Sequence, residues 1–366
     1  MKRKSGLAIG IALALVLAGA FGFYSMSRRG RLTKYTDTFF DTFDTAVTVV
    51  AYTKTEAEFD AFFDRIHARF KELHDLFDIY NSYEGVSNAR TINQNAGIAP
   101  VKVAKELVDL IDFSKEWYRK TGGKTNIAMG AVLRIWHEYR EEGIADPETA
   151  QLPPMEALQG AAQHIDIDKV IVDKDASTVY LADPRMSLDL GAVAKGYATE
   201  LVARELQEAG LVSAVISSGG NVRTIGKPLD GVRERWGIGI QDPSKSILTE
   251  EENLLDVVFV NDASVVSSGD YQRYYIVDGK PVHHLIDPET LMPAEYFRAV
   301  TVVTPDSGVA DFMSTTLFLT PLEQGRALAK EIGVDAVWVL PDGRVEMTEG
   351  FERIAKSKGA TGAKAD

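Results

Sequence analysis

The chain has 366 residues, 45% hydrophobic and 25% charged, with a net charge of -13. That mixture suits one large domain or two average ones with a sizeable core, and the acidic balance argues against nucleic-acid binding. There is no cysteine, which excludes disulfides, thiolate metal sites and cysteine nucleophiles and leaves any metal to oxygen or histidine ligands.

Residues 1–30 stand apart from the fold. Lys2, Arg3 and Lys4 precede an apolar run from Leu7 to Phe23, and Arg28, Arg29 and Arg31 follow it. A charged start before an apolar run is an export signal. As a helix of about 25 Å the run could just span a membrane. Either it is cut near Ala18-Gly19-Ala20 or it stays as a membrane anchor, which is the favoured reading. Leu17 to Ala20 also has the look of a lipoprotein signal, but Ala20 stands where the lipidated cysteine would be.

Phe39 to Tyr52 ends in β-branched residues and reads as a strand. Thr55 and Glu58 have the spacing of a capping box. Behind them Phe59, Phe62, Phe63, Ile66, Phe70, Leu73 and Phe77 recur with helical period. His67 and His74 on that helix read as ordinary histidines, not ligands. Val103 to Thr121 reads as a helix stopped by Gly122-Gly123, and Thr125 to Tyr139 as another. Val170 to Leu181 reads as strands around Asp173-Lys174-Asp175. Ser187 to Gly191 leads into a helix with Val193, Tyr197, Leu201 and Leu206 on its apolar face. Val212, Ala214 and Ile216 alternate as a strand, so the middle of the chain reads as strand-helix-strand. Further strands are expected at Trp236–Ile240, Leu255–Val260, Tyr274–Val277 and Ala299–Val303. Helices are expected at Asp311–Leu319 and Leu322–Glu331, and a hairpin turns at Pro341-Asp342-Gly343. The tail from Ala355 is small and charged and reads as disordered.

Three segments carry chemistry. Asp189 to Tyr197 places a carboxylate, small residues and Lys195 at a helix start, where free N–H groups favour anions. Asp311 and Thr315 share one helical face; a carboxylate and a hydroxyl there suit a hard cation such as Mg²⁺. His283 and His284 precede Asp287-Pro288 in a polar loop, and adjacent histidines on a strand face opposite ways, which disfavours a paired zinc site. Gly219-Gly220 offers a backbone turn for a ring or phosphate. Each segment also has a bland reading as a cap, a packed turn or a solvated loop.

Taken in order, DLGAVAKGYA (Asp189 to Ala198), SSGGN (Ser217 to Asn221), SGDYQRYY (Ser268 to Tyr275), HHLIDPET (His283 to Thr290) and ADFMSTTLF (Ala310 to Phe318) resemble the FAD:protein FMN transferases, the ApbE family. The resemblance implies binding of FAD and Mg²⁺, cleavage of the pyrophosphate, and transfer of FMN to a Thr or Ser hydroxyl of an acceptor flavoprotein with release of AMP. It places metal ligands on the Ala192 carbonyl, the Asp311 carboxylate and the Thr315 hydroxyl. It places flavin contacts on Asp189 and Lys195, and others near Phe43, Tyr80, Lys124, Thr125, Asn126, His284 and Ile286. A positioned group must take the acceptor's proton: Asp189 and Asp287 are the carboxylate candidates, with His284 beside them. Water in place of the acceptor would give a Mg²⁺-dependent FAD pyrophosphatase. A non-catalytic flavin-binding envelope protein is a further alternative, as is an unrelated extracytoplasmic ligand-binding module.

Three departures from the family pattern bear on flavin affinity. Leu291 follows Thr290 where glycine is usual, and leucine is not expected to make the same turn if positive φ is needed. Phe43-Asp44-Thr45 replaces methionine-glycine-threonine. Asn126 replaces a common aspartate. The expected fold is a single α+β domain over 36–354, built of mixed sheets with packed helices. It would lie in the cell envelope, on the outer side of the cytoplasmic membrane.

Overall fold

The computed structural model describes residues 32–245 and 253–364. The proposed anchor lies outside them. Among the described residues no helix is long and apolar enough to cross a membrane. The chain opens with strands β1 (Thr33–Thr42) and β2 (Thr45–Thr53), then helices α1 (Glu56–Phe77) and α2 (Ala89–Gln94). Strand β3 (Val101–Lys102) and helices α3 (Lys105–Lys120), α4 (Gly130–Ala145) and α5 (Met155–Ala162) follow. Next come β4 (Val170–Asp173), β5 (Thr178–Leu181), α6 (Ala194–Glu208), β6 (Ala214–Ser218) and β7 (Asn221–Ile225). Strands β8 (Trp236–Gln241), β9 (Leu254–Val260), β10 (Ser264–Gly269), β11 (Tyr274–Val277), β12 (Lys280–His283) and β13 (Ala299–Thr304) continue the chain. It closes with α7 (Ser307–Phe318), α8 (Leu322–Ile332), β14 (Asp335–Val339), β15 (Val345–Met347) and α9 (Glu349–Ile354).

One eight-stranded sheet, ordered β1-β2-β6-β7-β10-β13-β14-β15, organises an α+β domain. Every strand pair in it is antiparallel, which corrects the expected mixed sheets. Strands β5 and β6 flank α6 but lie in different sheets, so the strand-helix-strand stretch is not a parallel crossover unit. Alternation sorts the side chains into layers. Val47, Val49 and Ala51 of β2 and Val300 and Val302 of β13 face the helices. Tyr52, Val265 and Val303 face the opposite way, toward the β8–β9 hairpin and α9. Helix α7 runs through the interior, with nearly every residue buried. Its contact with α6 needs Gly196: a Cβ there would lie 2.3 Å from both the Asp311 Cβ and the Ser307 carbonyl.

Several expected elements move. Phe39–Tyr52 is a hairpin rather than one strand, turning at Phe43-Asp44 with φ of 52° and 50°. Two positive φ values define the tight turn that matches strand twist, which asparagine and glycine usually supply. A phenylalanine there costs about 1–2 kcal/mol. The helix expected from Thr125 starts only at Gly130; the Asn126 side chain accepts from Ala128 N at 2.8 Å and makes a turn instead. Leu291 does take a positive φ, 59°. Its side chain is buried in a cluster with Trp136 and Ile286, and its carbonyl accepts from Trp136 Nε1 at 3.0 Å. Burial and that bond offset the strain, so leucine makes the turn.

The tail is packed, not disordered. Ala355 is buried and bridges to Val258, while Ala363 bridges to Arg233. The Ser357 backbone N–H and hydroxyl both donate to the Asp256 carboxylate. Ending the chain at Ile354 strips the buried Asp256 carboxylate of these donors as well as removing apolar contact. We expect a loss of about 2–4 kcal/mol, read as a lower urea midpoint; an unchanged midpoint would mean the tail does not pack in solution.

Candidate active site

A cleft of about 310 Å³ opens where α6, α7, the β1–β2 turn and the loop after β12 converge. Phe43, Asp44, Tyr80, Lys124, Thr125 and Asn126 line it. So do Asp189, Ala192, Lys195, Gly219, His284, Ile286, Asp311 and Thr315. These positions are scattered over the chain, and the antiparallel sheet gathers them. Gly220 and Asp287 do not line the cleft. Gly219 and Gly220 form the two-residue turn between β6 and β7, both at positive φ; Gly219 packs on Thr45, whose Oγ1 would lie 2.2 Å from any Cβ. Asp287 is buried and committed: its Oδ1 accepts from Lys124 Nζ at 3.1 Å and from Glu289 N at 2.9 Å. Its visible role is to hold Lys124, whose ammonium also pairs with Glu289 at 2.9 Å. Burial works against that charge, but the two carboxylates hold the Lys124 pKa above the ordinary value.

The floor is an oxygen cluster. Asp311 Oδ2 accepts from Gly196 N at 2.8 Å at the start of α6. Burial pushes its carboxyl pKa up, against the attraction of Lys195, and no ion pair to Asp311 is present among the described residues. Ser314 donates to the Asp311 carbonyl at 2.9 Å, so Ser268 must donate to Ser314 at 2.8 Å. Thr315 lies 3.5 Å from Ser268, which leaves its oxygen weakly engaged. A buried carboxylate with no paired cation, beside a hydroxyl with spare lone pairs, has the donor chemistry of a small hard cation. The residues therefore fit Mg²⁺.

Above the floor, Asp189 Oδ1 accepts from Gly191 N at 2.8 Å. Burial raises its pKa, while the Gly191 bond and the positive field of His137, Arg273 and Arg140 oppose the rise. His284 donates through Nδ1 to the Arg273 carbonyl at 3.1 Å. Burial and the Arg273 guanidinium bring its pKa down to about 3, so the ring is neutral with Nε2 unprotonated. His283 also lines the cleft, but both its ring nitrogens are taken: Nε2 donates to the Ala294 carbonyl at 3.0 Å and Nδ1 accepts from Leu285 N at 3.2 Å. β12 ends at His283, so His284 lies in the loop beyond the strand.

Sequence reasoning took His74 for an ordinary helix residue and did not single out His137, Arg140 or Arg273; all four line the cleft. Arg273 sits inside the SGDYQRYY motif, and His137 and Arg140 are three apart on one face of α4. Asn126 is more than a substitute for aspartate. Its Nδ2 donates to the Ile165 carbonyl at 2.9 Å, which a carboxylate cannot do. Asn126→Asp should cost about 1–3 kcal/mol; an equal urea midpoint in the variant would refute that role.

The fold and site define an α+β protein with a large mixed-polarity cleft over a buried oxygen-donor floor. The profile of the ApbE family matches residues 43–338, and the chain belongs to that family. The FAD:protein FMN transferase of Treponema pallidum is 33% identical over 303 residues, covering 78% of this chain and 81% of its own. The FAD:protein FMN transferase of Klebsiella pneumoniae is 32% identical, covering 76% and 82%. Among solved structures, the ApbE protein of Thermotoga maritima superposes with a TM-score of 0.74 at 26% identity, covering 88% of this chain and 99% of its own.

Proposed function

We propose that the protein is a Mg²⁺-dependent FAD:protein FMN transferase. It would cleave FAD, attach FMN through a phosphoester to a Thr or Ser of an acceptor flavoprotein, and release AMP. The observation that carries this reading is the buried Asp311, without an ion-pair partner among the described residues, beside Thr315 in a cleft that also holds Lys195 and His284. Ala192, Asp311 and Thr315 would hold the metal. Bound there, Mg²⁺ would neutralise the diphosphate and orient the attacked phosphorus. The acceptor oxygen would form a bond to the FMN phosphorus as the bond to the AMP phosphate breaks. The hydroxyl proton would pass to Nε2 of His284. Lys195 offers positive charge to the diphosphate. Asp189, with Oδ1 taken by Gly191, keeps Oδ2 for a donor on the flavin. The charged-apolar-charged N-terminus supports export, with the domain anchored on the outer side of the cytoplasmic membrane.

The test uses FAD, Mg²⁺ and a carrier protein bearing an acceptor-type threonine segment. After denaturing electrophoresis, flavin fluorescence on the carrier that disappears with EDTA supports the transferase. Mg²⁺-dependent release of FMN and AMP without a labelled carrier would make the enzyme a pyrophosphatase. Bound FAD with neither product would leave a flavin-binding protein.

A further inference from the structure

We infer that His74 is a positioning residue for the ligand: it holds the Phe43–Asp44 turn against the cleft through one tautomer. The inference rests on FAD being that ligand. Phe43 and Asp44 both line the cleft and both sit at positive φ, where no local preference keeps them. Something outside the hairpin must fix the turn. Phe43 N donates to His74 Nδ1 at 3.2 Å, and the Phe43 ring meets the His74 ring edge-on at 5.4 Å.

The far side of the imidazole sets its tautomer. Tyr83 donates its hydroxyl to Asp78 Oδ2 at 2.7 Å. Its oxygen is then an acceptor for His74 Nε2, 3.2 Å away. Nε2 therefore carries the hydrogen, and Nδ1 is bare toward Phe43. Burial works against the Asp78 charge, but Tyr83, the Tyr80 backbone and Asn81 hold its carboxyl below the usual range. Asp78 also accepts from Tyr80 N at 2.6 Å. One hydrogen-bonded chain thus runs from Phe43 through His74, Tyr83 and Asp78 to Tyr80, tying together two aromatic residues of the cleft wall.

The experiment compares the full chain with His74→Leu and His74→Asn; the asparagine amide oxygen can replace Nδ1 as acceptor. FAD binding without acceptor is measured by titration calorimetry, alongside kcat, KM and thermal melts. Loss of one ordering hydrogen bond should weaken FAD about 10-fold in His74→Leu, raising KM with kcat little changed. His74→Asn should restore most of the affinity. FAD binding in His74→Leu equal to wild type would overturn the inference, and so would His74→Asn binding as weakly as His74→Leu. Should His74→Leu fail to fold, His74→Asn still decides: FAD binding about 10-fold weaker than wild type in that variant would overturn the inference. Wild-type protein that binds no FAD would overturn the functional reading and this inference with it.

Discussion

Asp311→Asn will abolish transfer while leaving the protein folded and, without metal, slightly more stable. Asp311 is buried, and burial pushes its carboxyl up because the charged form is disfavoured there. Asparagine keeps an oxygen to accept from Gly196 N, now at 2.8 Å, and removes the buried charge. It also removes the carboxylate donor of the proposed cation site. Loss of that electrostatic stabilisation at the diphosphate should cost at least about 10³-fold in kcat. Thermal melts separate the two effects. Wild type should gain melting temperature with added Mg²⁺, since binding to the folded state alone stabilises it. Asp311→Asn should melt higher than wild type without Mg²⁺ and gain nothing from it. A variant that keeps transfer, or keeps its Mg²⁺ response, would remove Asp311 from the site.

The pH dependence of those melts follows with a fixed sign. A carboxyl whose folded pKa is raised binds its proton more tightly in the folded state. Without metal, its contribution favours the folded state at acidic pH and is lost as pH rises through the folded value. Mg²⁺ needs the ionised form. The stabilisation by Mg²⁺ should therefore grow as pH rises from the carboxylate range toward neutrality, and this growth should be missing in Asp311→Asn.

What was legible in the sequence follows from which signals are local. Asp311 and Thr315 are one helical turn apart, so their shared face could be read directly, and Asp189 to Tyr197 announces its helix start through small residues. The tertiary fold decided the rest. β10 carries Ser264, Ser267 and Ser268 and does not look like a strand. Its neighbours β7 and β13 cover both edges, Val265 and Val266 point into different cores, and Ser267 and Ser268 line the cleft. β7 hides behind the Gly219-Gly220 turn, which reads as an end rather than a hairpin. Asp287 looked like a base because Asp-Pro follows the histidines, but the buried ammonium of Lys124, 163 positions away in the chain, claims it. His74 has the spacing of an ordinary helix residue; only the folded turn puts Phe43 N against it.

His284→Gln should lower the rate of transfer about 10²–10⁴-fold, the usual worth of a positioned proton acceptor, with FAD affinity little changed. The free enzyme alone would suggest a poor base, since burial and Arg273 bring the His284 pKa down to about 3. The argument turns on what binds beside it. After burial, the charges opposing its proton are Arg273, His283 and Lys195. A bound diphosphate adds negative charge next to Lys195 and Arg273 and offsets the two cations, so the His284 pKa must rise in the complex. The ring is then neutral when the substrate arrives and a stronger base once it is bound. Two pH profiles separate these states. The acid limb of kcat should lie at higher pH than that of kcat/KM, because the first reports the complex and the second the free enzyme. In His284→Gln the acid limb of kcat should vanish with the rate. Asp189→Asn serves as the contrast: an acceptor of a flavin donor should raise KM for FAD more than it lowers kcat. If Asp189→Asn instead loses kcat and its acid limb while His284→Gln keeps both, the proton goes to Asp189, and His284 merely fixes the Arg273 backbone through its 3.1 Å bond.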